Sequence, residues 1–342
     1  MISSQMIKDY ALECGADAVG IASMDRFEGA PKELDPRYIF PDAKTMIGFI
    51  FRIPRGYIRG VEEGTDFYQY PSLGYAAINE DFAPSVLYDV GRYIEDAGYE
   101  AAVFRNAGGR GPVSDMDGKP GFMASPEEHK RGLVYSHPVK ESFPAPDIIF
   151  QFRIAAFLCG LGQIGYSKML LTPDFGPLNR QAFIFTDAEL EQDPLFEEEL
   201  CDKCMACVGA CPGKCIDAQE TIKVKLAGRN VEWGKLHEWD CFVYYQGANK
   251  KTNPFIPEDI FNDLPDGDDL LRGEKHIHPA EFDEISARIK SKYHSGLYGY
   301  NPPKCGGCLR ACINNLEKKG ILSKKFKNPF RTSKPWHLSY DK

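Results

Sequence analysis

Apolar positions recur along this chain with two periods. Over residues 3–14, Met6, Ile7, Tyr10, Ala11 and Cys14 return at helical spacing, with Ser3 or Ser4 placed to cap the helix and Gly15 to end it. Cys14 then reads as a buried core thiol. Ala18–Ala22 and Lys44–Ile53 are short apolar runs bounded by turn residues and read as strands. Residues 82–97 carry Val86, Val90, Tyr93 and Ile94 on one helical face; Gly98 stops the run and Tyr99–Phe104 follows as a strand. Ile148–Cys159 has helical character interrupted by Arg153, Arg180–Thr186 reads as a strand, and Leu309–Lys319 reads as a helix stopped by Gly320.

Elsewhere the periods fail. Residues 55–82 are aromatic and glycine-bearing, and their tyrosines suit either packing or a lid over a cofactor. Residues 106–121 form a glycine-rich turn region, either a ligand loop or a surface connection. The acidic run 189–199 reads as a solvated linker. Gly160, Gly162 and Gly165 match G-x-G-x-x-G, but a helical pattern precedes them and a proline-broken extended stretch follows. The dinucleotide fingerprint needs a strand before and a helix after, so a nicotinamide fold is set aside. The glycines instead let backbone pass close to something flat.

The cysteines change the picture most. Cys201, Cys204, Cys207 and Cys211 stand as C-x2-C-x2-C-x3-C followed by Pro212, the bacterial ferredoxin run. Three such cysteines wrap one face of a 4Fe-4S cluster, while the fourth serves a second cluster. A second set is present: Cys305, Cys308 and Cys312 form C-x2-C-x3-C, and Cys241 stands between the runs. By the crossing rule, Cys201, Cys204, Cys207 and Cys312 hold one cluster, and Cys211, Cys241, Cys305 and Cys308 the other. Cys215 is the rival to Cys241. A structural zinc site favours paired C-x2-C units and explains three evenly spaced cysteines poorly.

The 342 residues allow one large domain or two ordinary ones. No apolar run is long enough to cross a bilayer, and the first residues carry no secretory or twin-arginine pattern, so a cytoplasmic location with reduced thiols is the expectation. A net charge of −8 argues against broad nucleic-acid binding.

Three stretches carry a family resemblance: VGRYIEDAGYEAAVFRN (90–106), GLGQIGYSKMLLTPDFGPLNRQAFIFTDAEL (160–190), and the cysteine pattern with WDCFVYYQG around Cys241. Together they resemble the cobalamin-dependent iron–sulfur reductases, a group that includes reductive dehalogenases and epoxyqueuosine reductase. The resemblance implies an α/β (α+β) fold: a nitroreductase-like cobalamin-binding domain over 1–192, then a ferredoxin-like module with two 4Fe-4S clusters over 193–342. That module carries an insertion at about 247–300 and a basic, aromatic tail that packs on it or meets an anionic partner. The insertion reads as a lid, an oligomer contact or a surface addition. Base-off cobalamin is implied, with electrons passing from an external low-potential donor, such as ferredoxin or flavodoxin, through the clusters to cobalt and then to a small-molecule substrate. No histidine lies in the corrin-like stretch.

By the same resemblance, Gly160, Gly162, Gly165, Thr172, Gly176, Asn179 and Arg180 are candidate corrin contacts, and Asn106 a residue that orients substrate. Candidate proton donors are Tyr75, Asp147, Tyr166 and Lys168. Several features depart from the pattern. The Asp-x-Gly-Pro motif of epoxyqueuosine reductases is absent around Asp147. Tyr166, Ser167 and Lys168 follow the glycines where dehalogenases carry arginine, and Ile313 follows Cys312 in place of proline. The leading expectation is a dehalogenase-like reductase. The alternatives are epoxyqueuosine reduction on tRNA and a two-cluster electron carrier without cobalamin.

Overall fold

The computed structural model describes residues 2–63, 69–104, 150–250, 252–253, 256–291 and 305–331. Its centre is a four-stranded antiparallel sheet in the order β1-β2-β6-β3, where β1 is Ala18–Ser23, β2 Thr45–Arg52, β3 Ala101–Phe104 and β6 Asn179–Thr186. The two central strands are apolar on both faces because both faces are covered. Ile47, Phe49, Phe51, Ala182 and Ile184 point into one core, and Met46, Ile50, Phe183 and Phe185 into the other. A strand buried on both sides loses the apolar/polar alternation and reads as a continuous run.

The first core is closed by helix Ser4–Cys14, through Ile7 and Ala11, and by helix Ala83–Asp96, through Val86, Leu87, Val90 and Ile94. Ser3 Oγ accepts from the Met6 N–H at 3.3 Å, and Gly15 ends the first helix in the left-handed conformation (φ 116°). Helix Gly307–Lys318 adds Leu309, Ile313 and Leu316 to this core, and Leu322 and Phe330 follow. The described part of the tail therefore packs, with Arg55 stacked 4.4 Å over the Phe326 ring. The second core is an aromatic nest in which Phe150 meets Phe183 edge-on at 5.1 Å, closed by helix Phe152–Leu158.

Three readings are corrected. Residues 72–82, aperiodic in sequence, form a wide helix of the π type that runs into helix Ala83–Asp96. Its i→i+5 turns do not repeat at 3.6 residues, so a helical-period reading misses it. The acidic run is no free linker: Asp193 pairs with Lys8 and accepts the Ile21 N–H at 2.8 Å, tying the run to the sheet edge. Cys14 is half-buried against the core, with burial raising its thiol, and it is not enclosed.

Beyond the sheet, β4 (Gln163–Ile164) pairs with β5 (Leu170–Leu171). A long hairpin of β7 (Ile216–Leu226) and β8 (Arg229–Leu236) follows the first cysteine run and docks by Trp233 on the second core. Residues 256–289 build a small core of their own. Ile256, Phe261, Leu270, Ile277, Phe282 and Ile285 pack on Val243 and Tyr244 of helix Glu238–Tyr245.

Candidate metal centres and cofactor cavity

All eleven cysteines are free thiols. Cys201, Cys204, Cys207 and Cys312 line one small pocket, with Gly165, Tyr166 and Leu316 among its walls. Cys312 reaches it from helix Gly307–Lys318 across the chain. Burial raises its thiol most, and the neighbouring Cys201 and Cys207 raise it further. Cys207 is raised by burial and by Cys201 in the same way. The Tyr166 N–H donates to Cys201 Sγ at 3.3 Å, and Gln163 Oε1 accepts from the Leu200 and Cys201 N–H groups, fixing the entry to the run.

The second group gathers Cys211, Cys241, Cys305 and Cys308. Burial pushes the Cys308 thiol up to about 12, with Cys241 and Cys211 adding to it. Cys305 is likewise raised by burial and then by Cys308. Cys215 sits inside this group. Its side chain hydrogen-bonds toward Cys211 and Cys241, lowering both, and Cys211 falls to about 6. The Cys215 N–H also donates to Cys211 Sγ at 3.2 Å. Metal binding needs these sulfurs as thiolates, and burial and their mutual proximity oppose that in the metal-free chain, so a bound cation is what would stabilise the grouping.

A larger cavity of about 260 Å³ lies on the sheet side of the second group. Tyr70, Tyr75, Phe152, Arg153, Asn179 and Arg180 are among its lining residues, and Leu309, next to Cys308, also borders it. The wide helix builds one wall: Tyr75 and Asn79 stand four residues apart on it and both hold Arg180. The guanidinium lies 4.0 Å over the Tyr75 ring, and its Nε donates to Asn79 Oδ1 at 3.0 Å. Asn79 is 1% exposed, and its Nδ2 has no hydrogen-bond partner among the described residues. Asn79 stands behind Arg180 and is not among the lining residues, so the guanidinium is the group that can meet a ligand offering acceptors. Burial pushes the Tyr70 hydroxyl up to about 12.

The expected corrin contacts divide. Asn179 and Arg180 reach the cavity. Asn179 also donates to the Leu170 and Gly176 carbonyls, and Thr172 Oγ1 donates to Gly176 O, so Thr172, Asn179 and Gly176 shape a turn. A Cβ at Gly160 would meet Pro194 O at 2.2 Å, and one at Gly162 would meet Leu171 O at 2.1 Å. The object passing close to these two glycines is the chain's own backbone. A Cβ at Gly165 would meet the Leu171 side chain at 3.1 Å. Of the expected proton donors, Tyr75 lines the cavity. Tyr166 lines the first cysteine pocket, where its hydroxyl donates to Asp217 O at 2.9 Å. Lys168 pairs with Glu238 at 3.0 Å. Asn106 and Asp147 lie outside the described residues. Sequence reasoning missed Asn79, Tyr70 and Arg153; the first two are on or beside the wide helix, whose period hid it.

No family model matches the chain. Tetrachloroethene reductive dehalogenases of Desulfitobacterium hafniense and Dehalobacter restrictus are 38% identical to it over 72 residues, which is 20% of this chain and 13% of each relative. The chain therefore spans a small part of the length of these curated relatives. These comparisons support the reductase superfamily that the sequence resembles. Among solved structures, a catabolic reductive dehalogenase covers 99% of this chain and 41% of its own at 16% identity, with a TM-score of 0.49. An epoxyqueuosine reductase covers 97% and 69% at 17% identity, with a TM-score of 0.47. These relatives are reductases. Among the described residues, no helix is long and apolar enough to cross a membrane.

Proposed function

We propose that this chain is a cobalamin-dependent iron–sulfur reductase of the dehalogenase-like branch, with two 4Fe-4S clusters and a small-molecule substrate. The observation that carries the reading is the crossing of the cysteine runs: Cys312 lies with Cys201, Cys204 and Cys207, while Cys211 lies with Cys305 and Cys308. That is the pattern two clusters require of a ferredoxin run. In this reading residues 1–192 form the nitroreductase-like part and residues 193–342 the ferredoxin-like part. An external low-potential carrier supplies electrons, the likeness to dehalogenases favours a small molecule over tRNA, and the cytoplasm is the working compartment.

The cavity beside the second group is the proposed site of the substrate and of the reacting part of the cofactor; its volume of about 260 Å³ takes a part of a cobalamin and not the whole. Cobalamin bound there supplies a reducible metal, the hard chemistry that side chains lack. Arg180, fixed by Tyr75 and Asn79, holds the acceptor groups of the cofactor or substrate. The aromatic walls Phe150 and Phe152 exclude water. Tyr75 is the proton donor best placed among the described residues, and the neighbouring Tyr70 keeps its proton at neutral pH.

The test is anaerobic reconstitution with iron, sulfide and cobalamin, read by metal analysis and EPR. About eight irons and one cobalt per chain is the expected result. Iron without retained cobalamin would leave a two-cluster electron carrier. Turnover that requires a tRNA stem-loop would favour the epoxyqueuosine reaction.

A further inference from the structure

Outside the cysteine groups and the cavity, one cluster of ligand-type side chains stands apart. His237 precedes helix Glu238–Tyr245 and Asp240 lies in its first turn, three residues on, so both face one way. His276 comes from the separate segment that follows helix Gly267–Arg272. One ligand atom from each of the three lies within 4.8 Å of the other two. The two imidazole rings are 5.0 Å apart.

Asp240 is the anchor. It is 2% exposed, its Oδ1 accepts the Ile277 N–H at 2.6 Å, and its Oδ2 faces His276 Nδ1 at 2.6 Å. A carboxylate so deeply placed needs compensation, and one backbone N–H plus one imidazole is a modest supply. The Asp217 carboxylate stands 3.9 Å from His237 Nε2 and is itself held by the Gln219 and Glu220 N–H groups. At 3.9 Å this carboxylate is beyond hydrogen-bond distance of the ring and contributes negative charge beside it.

We propose that His237, Asp240 and His276 form a divalent transition-metal site, taking zinc or a similar borderline ion with water completing the shell. Two imidazoles and one carboxylate are a donor set that such ions accept with open positions left over. Bonds of about 2.1 Å put tetrahedral donors about 3.4 Å apart, so the His276–Asp240 contact of 2.6 Å must open by about 0.8 Å. His276 can do so because its side chain is 72% exposed. The bound ion would clamp the 256–289 core to the helix that carries Cys241, giving the insertion a structural purpose.

The test uses the full, cluster-loaded chain incubated with zinc under anaerobic conditions and passed over a chelating resin. Retained zinc is counted by mass spectrometry, and its first shell is read by zinc K-edge absorption. About one zinc with only nitrogen and oxygen neighbours is expected. His276→Ala and, separately, His237→Gln are expected to weaken retention at least tenfold with the iron content unchanged. Absence of retained zinc, a sulfur-containing shell, or retention indifferent to both variants would overturn the proposal. Because iron is counted in the same samples, failure of the clusters is told apart from failure of this site.

Discussion

The two cysteine groups differ in what surrounds them. The first lies near the surface: Cys204 is exposed, and the pocket is walled by backbone and a few side chains of the 163–171 turn. The second is roofed by the 256–289 core and holds a fifth thiol, Cys215. It borders the cavity, where Arg153 is close enough to lower Cys241. An exposed centre exchanges electrons with an external carrier, whereas an enclosed one beside a cavity hands them inward. On the reading proposed above, the difference would give the centres a direction: in at Cys204, out past Leu309 toward Arg180.

The largest effect that breaks or upholds this comparison is on metal content. Cys308→Ser and Cys312→Ser sit four residues apart on one helix, yet each is expected to remove a different cluster, taking about four of about eight irons. EPR of the reduced variants decides the matter, and loss of the same signal in both would undo the crossing. Next in size, Arg180→Ala is expected to lower cobalamin retention at least tenfold while leaving the iron count intact. Arg180→Lys is expected to rescue little, because lysine lacks the planar face that stacks on Tyr75.

A smaller effect concerns Cys215. In the metal-free, reduced chain its hydrogen bond stabilises the Cys211 thiolate and brings that group down to about 6. Cys211 is then ionised at neutral pH and is expected to alkylate with a midpoint near that value. In Cys215→Ala the thiolate loses its donor and the midpoint is expected to rise, as mass spectrometry of labelled peptides across a pH series would read. Smallest is Tyr166→Phe, expected to cost about 1 kcal/mol of stability through the lost bond to Asp217 O and to leave turnover unchanged. A large fall in turnover at constant stability would return Tyr166 to the catalytic set.

Much of the sheet half was legible because its elements obey one period or fill both faces. The helices ending at Gly15 and near Gly98, and β2 and β6, fall within a residue or two of their sequence expectation. The cysteine groups were legible through a spacing rule that depends on the cluster and not on secondary structure. What remained hidden has physical causes. The wall holding Tyr75 and Asn79 winds with a wider turn than the period sought. In the hairpin β7–β8, β7 is mostly exposed and β8 mostly half-buried, with Trp233 one of the few buried anchors, so the strands show little apolar alternation. The GLGQIG stretch misleads because glycine serves any close approach, and the partners here are Pro194 and Leu171.

The crossing has a consequence for how such a protein is made. On the crossed assignment the first group lacks its fourth sulfur until Cys312 has been synthesised, and the second lacks two sulfurs until Cys305 and Cys308 have followed. Neither centre can be completed on a nascent chain that stops short of the helix Gly307–Lys318, and that same helix contributes Leu309, Ile313 and Leu316 to the main apolar core. On the reading proposed above, closing the core and closing both centres draw on the same helix, so a chain cut short before it would lose part of the sheet's cover along with both centres.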